Sequence, residues 1–175
     1  MAEGAKGADP GSRIAAVFRE IALTRMAGLP ICNPALGVDA LGFRPWAGGW
    51  VGVLIAPWSM SLIYLPDGQA DWAGRPSGSP QGLALPAGDF ELLTAAEGRL
   101  GPYLTGSLFS PMGGFADMDQ ARAVAQAVID QVFAPPETPD RSPGPVPAGA
   151  EPPQSPGRVL SRRGFLGAFL DPERR

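Results

Sequence analysis

Histidine is absent from the 175 residues, cysteine occurs once, at Cys32, and lysine once, at Lys6. Without histidine, neither a Ser-His-Asp nor a Cys-His nucleophile can be assembled. Zinc and iron–sulfur centres need several Cys or His ligands, so no metal site and no cofactor is expected. A lone cysteine excludes an intrachain disulfide and suits a reducing compartment. Long apolar runs are also missing. The longest, 50–65, is broken by Pro57 and two serines and falls short of the roughly 20 residues that a membrane helix requires. The N-terminus lacks the apolar region of a secretory signal. A net charge of −3 offers no basic face to nucleic acid. Carboxylates alone could run acid–base chemistry, but no pair sits in a recognisable frame. These gaps predict a soluble, cytoplasmic protein that is not an enzyme, binds no nucleic acid and spans no membrane.

What the chain does have is glycine, 24 residues, and proline, 21. The prolines concentrate late: nine of the twenty-four residues from 134 to 157 are Pro and none is aromatic. Such a segment cannot bury a core. Four regions follow: a mobile N-terminus at 1–11, a folded domain at 12–134, a disordered Pro-rich tether at 135–157 and a tail at 158–175. Within the domain, Ser12 can cap a helix whose apolar positions Ile14, Val17, Phe18, Ile21, Ala22 and Met26 recur at three and four, with Gly28 and Pro30 as stops. The period then shortens to that of strands: 41–46 as an edge strand tolerant of Pro45, a Gly48-Gly49 turn, 50–56, and 60–65. A Gly/Pro/Ser-rich loop spans 67–87 and carries Trp72, and a hairpin follows at 90–96 and 103–109. Asp117 with Gln120 three residues later marks a helix start. Ala121, Val124, Ala125, Val128, Ile129, Val132 and Phe133 then fill one stripe before Pro135-Pro136. The fold class predicted is α+β, an antiparallel sheet of about five strands packed with N- and C-terminal helices.

The tail carries Ser161-Arg162-Arg163-Gly164-Phe165-Leu166, which fits the twin-arginine export pattern Ser-Arg-Arg-x-Phe-Leu at the wrong end of the chain. Such an address works at an N-terminus ahead of an apolar region, whereas here only ten residues lie beyond Phe165. It cannot be this chain's own export signal. Phe165, Leu166, Phe169 and Leu170 would share one face of a short helix. Burying them would contribute about 6–12 kcal/mol gross, offset by roughly 10–20 kcal/mol of backbone ordering before helix hydrogen bonds are counted. The balance predicts a tail that docks weakly. It can imitate a leader and occupy a leader-binding groove, in cis or on a second copy, or it can be a docking tail read by another accessory protein.

Trp46-Ala47-Gly48-Gly49-Trp50-Val51-Gly52, Ile55-Ala56-Pro57-Trp58-Ser59-Met60-Ser61, Gly82-Leu83-Ala84-Leu85-Pro86 and Ser107-Leu108-Phe109-Ser110-Pro111-Met112 together resemble the HybE/HupJ family of [NiFe]-hydrogenase assembly chaperones, over about 14–133. The resemblance implies a secretion-chaperone-like α+β domain. It also implies a role in hydrogenase maturation: binding the small-subunit precursor, its twin-arginine leader or both, and preventing premature export. The large subunit and other maturation factors are further partners it admits. With Cys32 alone, a rubredoxin-like iron site is closed to this chain. The alternative is a maturation scaffold that binds other assembly factors or the mature subunit without reading the leader.

A leader offers an arginine pair and a short apolar stretch, so its receptor should offer an apolar groove with carboxylates at the rim. The expected partner-binding residues are Trp46, Pro57, Trp58, Met60 and Trp72, with Asp89 and Glu91 as arginine partners. Asp67 and Asp71 are nearby carboxylates, and Trp50 is expected in the core. The leader-like motif adds Ser161, Arg162, Arg163, Phe165, Leu166 and Phe169.

Overall fold

A computed structural model describes residues 8–135 of the chain. The Pro-rich segment from 136 and the twin-arginine motif lie outside the described residues. The order of elements is α1 (Gly11–Leu23), β1 (Asp39–Trp46), β2 (Gly49–Ala56), β3 (Ser59–Pro66), β4 (Pro80–Leu85), β5 (Gly88–Glu97), β6 (Gly101–Phe109) and α2 (Met118–Val132). The expected α+β architecture is found, with six strands instead of about five, in the order β1-β2-β3-β6-β5-β4 and with every pairing antiparallel. The strand read as loop is β4. Its alternation rests on Leu83 and Leu85 alone, both buried, between Pro80 and Pro86, too few residues for a period-2 signal. As an edge strand it tolerates a proline at its start.

Both faces of the sheet are covered, which is why β2 and β3 read as nearly continuous apolar runs. Val51, Val53, Ile55, Met60, Leu62 and Tyr64 face α2. Leu54, Ala56, Ile63 and Leu65 lie on the opposite face with Ile14 of α1 and Phe43 of β1. Along α2 the stripe read from sequence is the packed one: Ala121, Ala125, Val128, Ile129 and Val132 are fully buried. Each Val or Ile among them stabilises the fold by about 1.5–3 kcal/mol. The Asp117 carboxylate accepts from the Gln120 N–H at 2.8 Å, and the Gln120 side chain accepts from the Ala116 N–H at 2.7 Å, a reciprocal cap. In α1 the expected cap is displaced. The helix begins at Gly11, whose N–H donates to the Asp9 carboxylate at 2.7 Å, so Ser12 already lies inside it. It stops at Leu23, short of Met26.

Two turns differ from each other in chemistry. The β1–β2 turn is Ala47-Gly48, with φ of 48° and 73°, and not Gly48-Gly49 as expected. Gly49 is already in β2, where a Cβ would lie 2.4 Å from the Leu65 carbonyl oxygen. Positive φ at both positions matches the twist of a two-residue hairpin. The β2–β3 turn, Pro57-Trp58, has no positive φ and is held from outside, by the Asn33 N–H donating to the Pro57 carbonyl at 2.8 Å.

The sheet curls strongly around α2. β5 pairs with β6 through Leu93–Glu97 and with β4 through Gly88–Leu93, so the β4–β5 hairpin folds away from the other strands. Its far end returns to α2, where the Ala87 N–H donates to the Val132 carbonyl at 3.1 Å. There it meets the opposite edge of the sheet, because the Trp46 indole N–H of β1 donates to the Ala84 carbonyl of β4 at 2.8 Å. Ion pairs fasten the helices: Arg122 to Asp39 and Arg44 to Asp130, both at 2.8 Å, at opposite ends of α2, and Arg25 to Glu97 at 2.8 Å and Arg99 to Glu20 beside the C-terminal end of α1. The Arg25 guanidinium hydrogen-bonded to Glu97 holds that carboxyl below its ordinary range.

A candidate partner-binding groove at the N-terminal end of the second helix

The residues singled out from sequence fall into three places. Trp46 lies at the C-terminal end of α2, edge-to-face with Phe133 at 5.8 Å between ring centroids. Asp89 pairs in register with Ala84, the residue that accepts from Trp46, and Asp89 and Glu91 are both exposed on β5. Pro57 and Trp58 form the β2–β3 turn, which Asn33 ties to the loop leading into α2. With about 1.5 Å per residue, the fifteen residues of α2 separate these two groups by about 22 Å. The third place is the core. Met60 has no exposed surface, and Trp72 is 8% exposed and packs on Tyr64 at 6.4 Å. Neither presents a surface to a partner here: Met60 points inward with Leu62 and Tyr64, and the 67–79 loop packs the Trp72 indole into the same core. Trp50 is half-buried against the α1 side of the sheet.

Beside Trp58 the structure builds a concavity that the sequence reading left out. Residues 30–35, between α1 and β1, face residues 111–116, between β6 and α2, across a groove of about 650 Å³. The two loops are about eighty residues apart in the chain and are joined by one side chain. The Asn33 amide donates to the carbonyls of Met112 at 3.0 Å and Phe115 at 2.8 Å, and its oxygen accepts from the Ala35 N–H at 2.9 Å. Together with its backbone bond to Pro57, Asn33 gathers three loops at one end of the sheet. Met112 is buried beneath, and Phe115 stands edge-to-face on Phe109 at 5.3 Å, half-buried with a side toward the groove.

The groove has a mixed surface, with Ile31, Pro34, Pro111 and Phe115 beside Cys32 and Asn33 in its lining and no charged side chain in it. Ile31 is 54% exposed and Leu29, two residues before it, 41%; they are two of the three large apolar side chains left exposed among the described residues. Two carboxylates follow the groove in sequence, one of them the Asp117 carboxylate that caps α2 by accepting from the Gln120 N–H. Asp117 and the 94%-exposed Asp119 come immediately after the groove residue Ala116, at the start of α2. Arg122, paired to Asp39, reaches Asp119 only at 3.5 Å. No helix among the described residues is long and apolar enough to cross a membrane.

The signals for this site were Leu29-Pro30-Ile31 in a loop punctuated by Gly and Pro, and Pro111 and Phe115 just ahead of a helix start. Nothing in the sequence says that those two places touch.

A family model described as [NiFe]-hydrogenase assembly, chaperone, HybE matches residues 9–168, a span wider than the sequence blocks alone suggested. The chain is 42% identical over 156 residues to the hydrogenase expression/formation protein HupT of Azotobacter chroococcum, covering 89% of this chain and 95% of that one. It is 38% identical over 164 residues to the hydrogenase expression/formation protein HupJ of Bradyrhizobium diazoefficiens, covering 94% and 90%. The solution structure of HybE from Escherichia coli matches with a TM-score of 0.59 at 25% identity, over 87% of this chain and 98% of that one. A two-helix, six-stranded fold of this topology, matched over nearly its whole length, makes the chain a member of the HybE family of [NiFe]-hydrogenase assembly chaperones.

Proposed function

We propose that this chaperone holds a [NiFe]-hydrogenase small-subunit precursor by its twin-arginine leader in the cytoplasm until assembly is finished, and that the groove between residues 30–35 and 111–116 is the receptor. A leader presents two arginines followed by a short apolar stretch. The groove presents exposed Ile31, and the carboxylates Asp117 and Asp119 follow its last residue, Ala116, at the start of α2. The exposed Ile31 in a groove whose last residue is followed by the almost fully exposed Asp119 is the observation that supports the reading. Charged groups at a rim set the on-rate and the register of the bound peptide, and the apolar centre supplies most of the affinity. Pro57 and Trp58 act here as a support, since their turn is tied to Asn33 beneath the groove.

The test is a titration of a synthetic small-subunit leader into the full chain and two variants. Ile31→Asp places a charge in the trough and should weaken binding at least tenfold. Asp117→Asn with Asp119→Asn removes both charges while keeping a good N-cap, and should weaken binding by about 2- to 10-fold, most at low salt. Leader binding that neither variant changes, with circular dichroism intact, removes the groove from the account. Capture of a small subunit lacking its leader, as strongly as the precursor, favours the scaffold reading instead.

A further inference from the structure

We infer that the chain carries its own competitor for this groove: residues 161–170 dock back in cis into the trough between 30–35 and 111–116 and must leave before any other ligand enters. The inference rests on the groove being a leader receptor, and adds a regulator of that same site.

Chemistry and geometry support it. Arg162-Arg163 followed by Phe165, Leu166, Phe169 and Leu170 offers a cationic pair for the almost fully exposed Asp119, three residues beyond the groove residue Ala116, and apolar side chains for Ile31 and Phe115. The described chain ends at Pro135, just past the C-terminal end of α2, and the groove lies about 22 Å away at its N-terminal end. About 25 residues connect Pro135 to the motif. Twenty-five residues of random coil span about 25–30 Å root-mean-square, enough to cover that distance. A linker whose span matches the distance holds its end at an effective concentration of about 1 mM, near the maximum a tether can give. The tail is short, with only four large apolar residues, so it docks weakly and reversibly. A tail with intrinsic affinity between about 0.1 and 1 mM, held at that concentration, would raise the apparent Kd of a competing ligand about 2- to 10-fold. The consequence is selectivity: a ligand with a longer apolar stretch displaces the tail, and loosely matching peptides do not.

The experiment uses the full-length chain and its variant Arg162→Glu/Arg163→Glu, which leaves residues 8–135 unaltered. First, amide chemical shifts of the two proteins are compared without ligand. Differences at Ile31, Asn33, Gly113, Phe115 and Ala116, independent of protein concentration, are expected. Identical spectra in these loops overturn the inference, and differences that grow with concentration overturn it in favour of a second copy as occupant. Second, a synthetic small-subunit leader is titrated into both. The charge-reversed variant should bind about 2- to 10-fold more tightly; equal or weaker binding counts against competition. The two readings separate cleanly. If the tail perturbs the groove while the leader binds neither protein, the leader receptor falls and the docking tail stands. If the leader binds both proteins equally in a groove indifferent to the tail, the receptor stands and the tail inference falls.

Discussion

Asn33 is the residue whose removal most directly tests how the groove is built. Its side chain makes three hydrogen bonds, two to carbonyls in the opposite loop and one to the Ala35 N–H. A hydrogen bond contributes about 0.5–1.5 kcal/mol net, and more is lost where the partner is left unpaired. Asn33 is half-exposed, so water can reach some of the abandoned groups, which places Asn33→Ala at about 2–3 kcal/mol. Urea unfolding followed by tryptophan emission measures this as a lower midpoint at unchanged slope. The isosteric Asn33→Asp sharpens the test. Its carboxylate would keep the bond from Ala35 but turn an oxygen toward the carbonyls of Met112 and Phe115. The folded state would therefore favour the protonated acid, raising its pKa above the unfolded value near 4. A group of that sign adds stability below its unfolded pKa and loses it as pH rises through the folded one. Asn33→Asp should be least impaired below about pH 4 and worse than Asn33→Ala at neutral pH. A loss under about 1 kcal/mol for Asn33→Ala, or no pH dependence for Asn33→Asp, would show that the two loops hold their places without this bracket.

Four further outcomes are expected. Gly52→Ala would set a Cβ within 2.4–2.6 Å of the Phe43 ring, an overpacking that should cost about 1–3 kcal/mol in urea melts. Ala47→Asn should stabilise by about 0.5–1 kcal/mol, because Ala47 sits at φ 48° where Asn is better tolerated and Asn-Gly is favoured in such turns. Trp46→Phe keeps the ring against Phe133 but drops the bond to Ala84, so amide exchange should rise in β4 and at Ala87 while β2 and β3 stay protected. Burial pushes Tyr64 and Tyr103 above the ordinary tyrosine value, so their contribution is intact below about pH 10 and is lost above it, where the unfolded chain ionises first. Tyr64→Phe should flatten the alkaline limb while costing about 1 kcal/mol at neutral pH for the lost bond to the Ala47 carbonyl.

Local pattern and local chemistry were enough for much of the fold. The stripe from Ala121 to Phe133, the reciprocal cap of Asp117 and Gln120, and the apolar runs of β2 and β3 are short-range signals. Each depends on residues within a few positions of one another, so the sequence states them directly. Four blocks of residues, each contiguous, likewise sufficed to point to the family that the comparisons show. Other features were out of reach. β4 is a strand because β5 lies beside it and α2 beneath it, and its two leucines carry too little period by themselves. Trp72 looked like a surface residue because its loop is polar, and only the fold of that loop onto Tyr64 buries it.

The candidate site divides in the same way. Composition set the expectation that recognition rests on apolar surface, arginine and carboxylate. The sequence also displayed the arginine pair and the phenylalanines of the tail. Which carboxylates meet which apolar residues was decided by tertiary structure alone. The curl of the sheet around α2 sends Trp46 with Asp89 to one end of the helix and Pro57 with Trp58 to the other. Ile31 and Phe115 come to line one groove through an asparagine whose partners lie 79 and 82 residues along the chain. Contacts of that separation cost loop-closure entropy that only the assembled core can offset. They exist because the whole domain folds, and no window of sequence contains them.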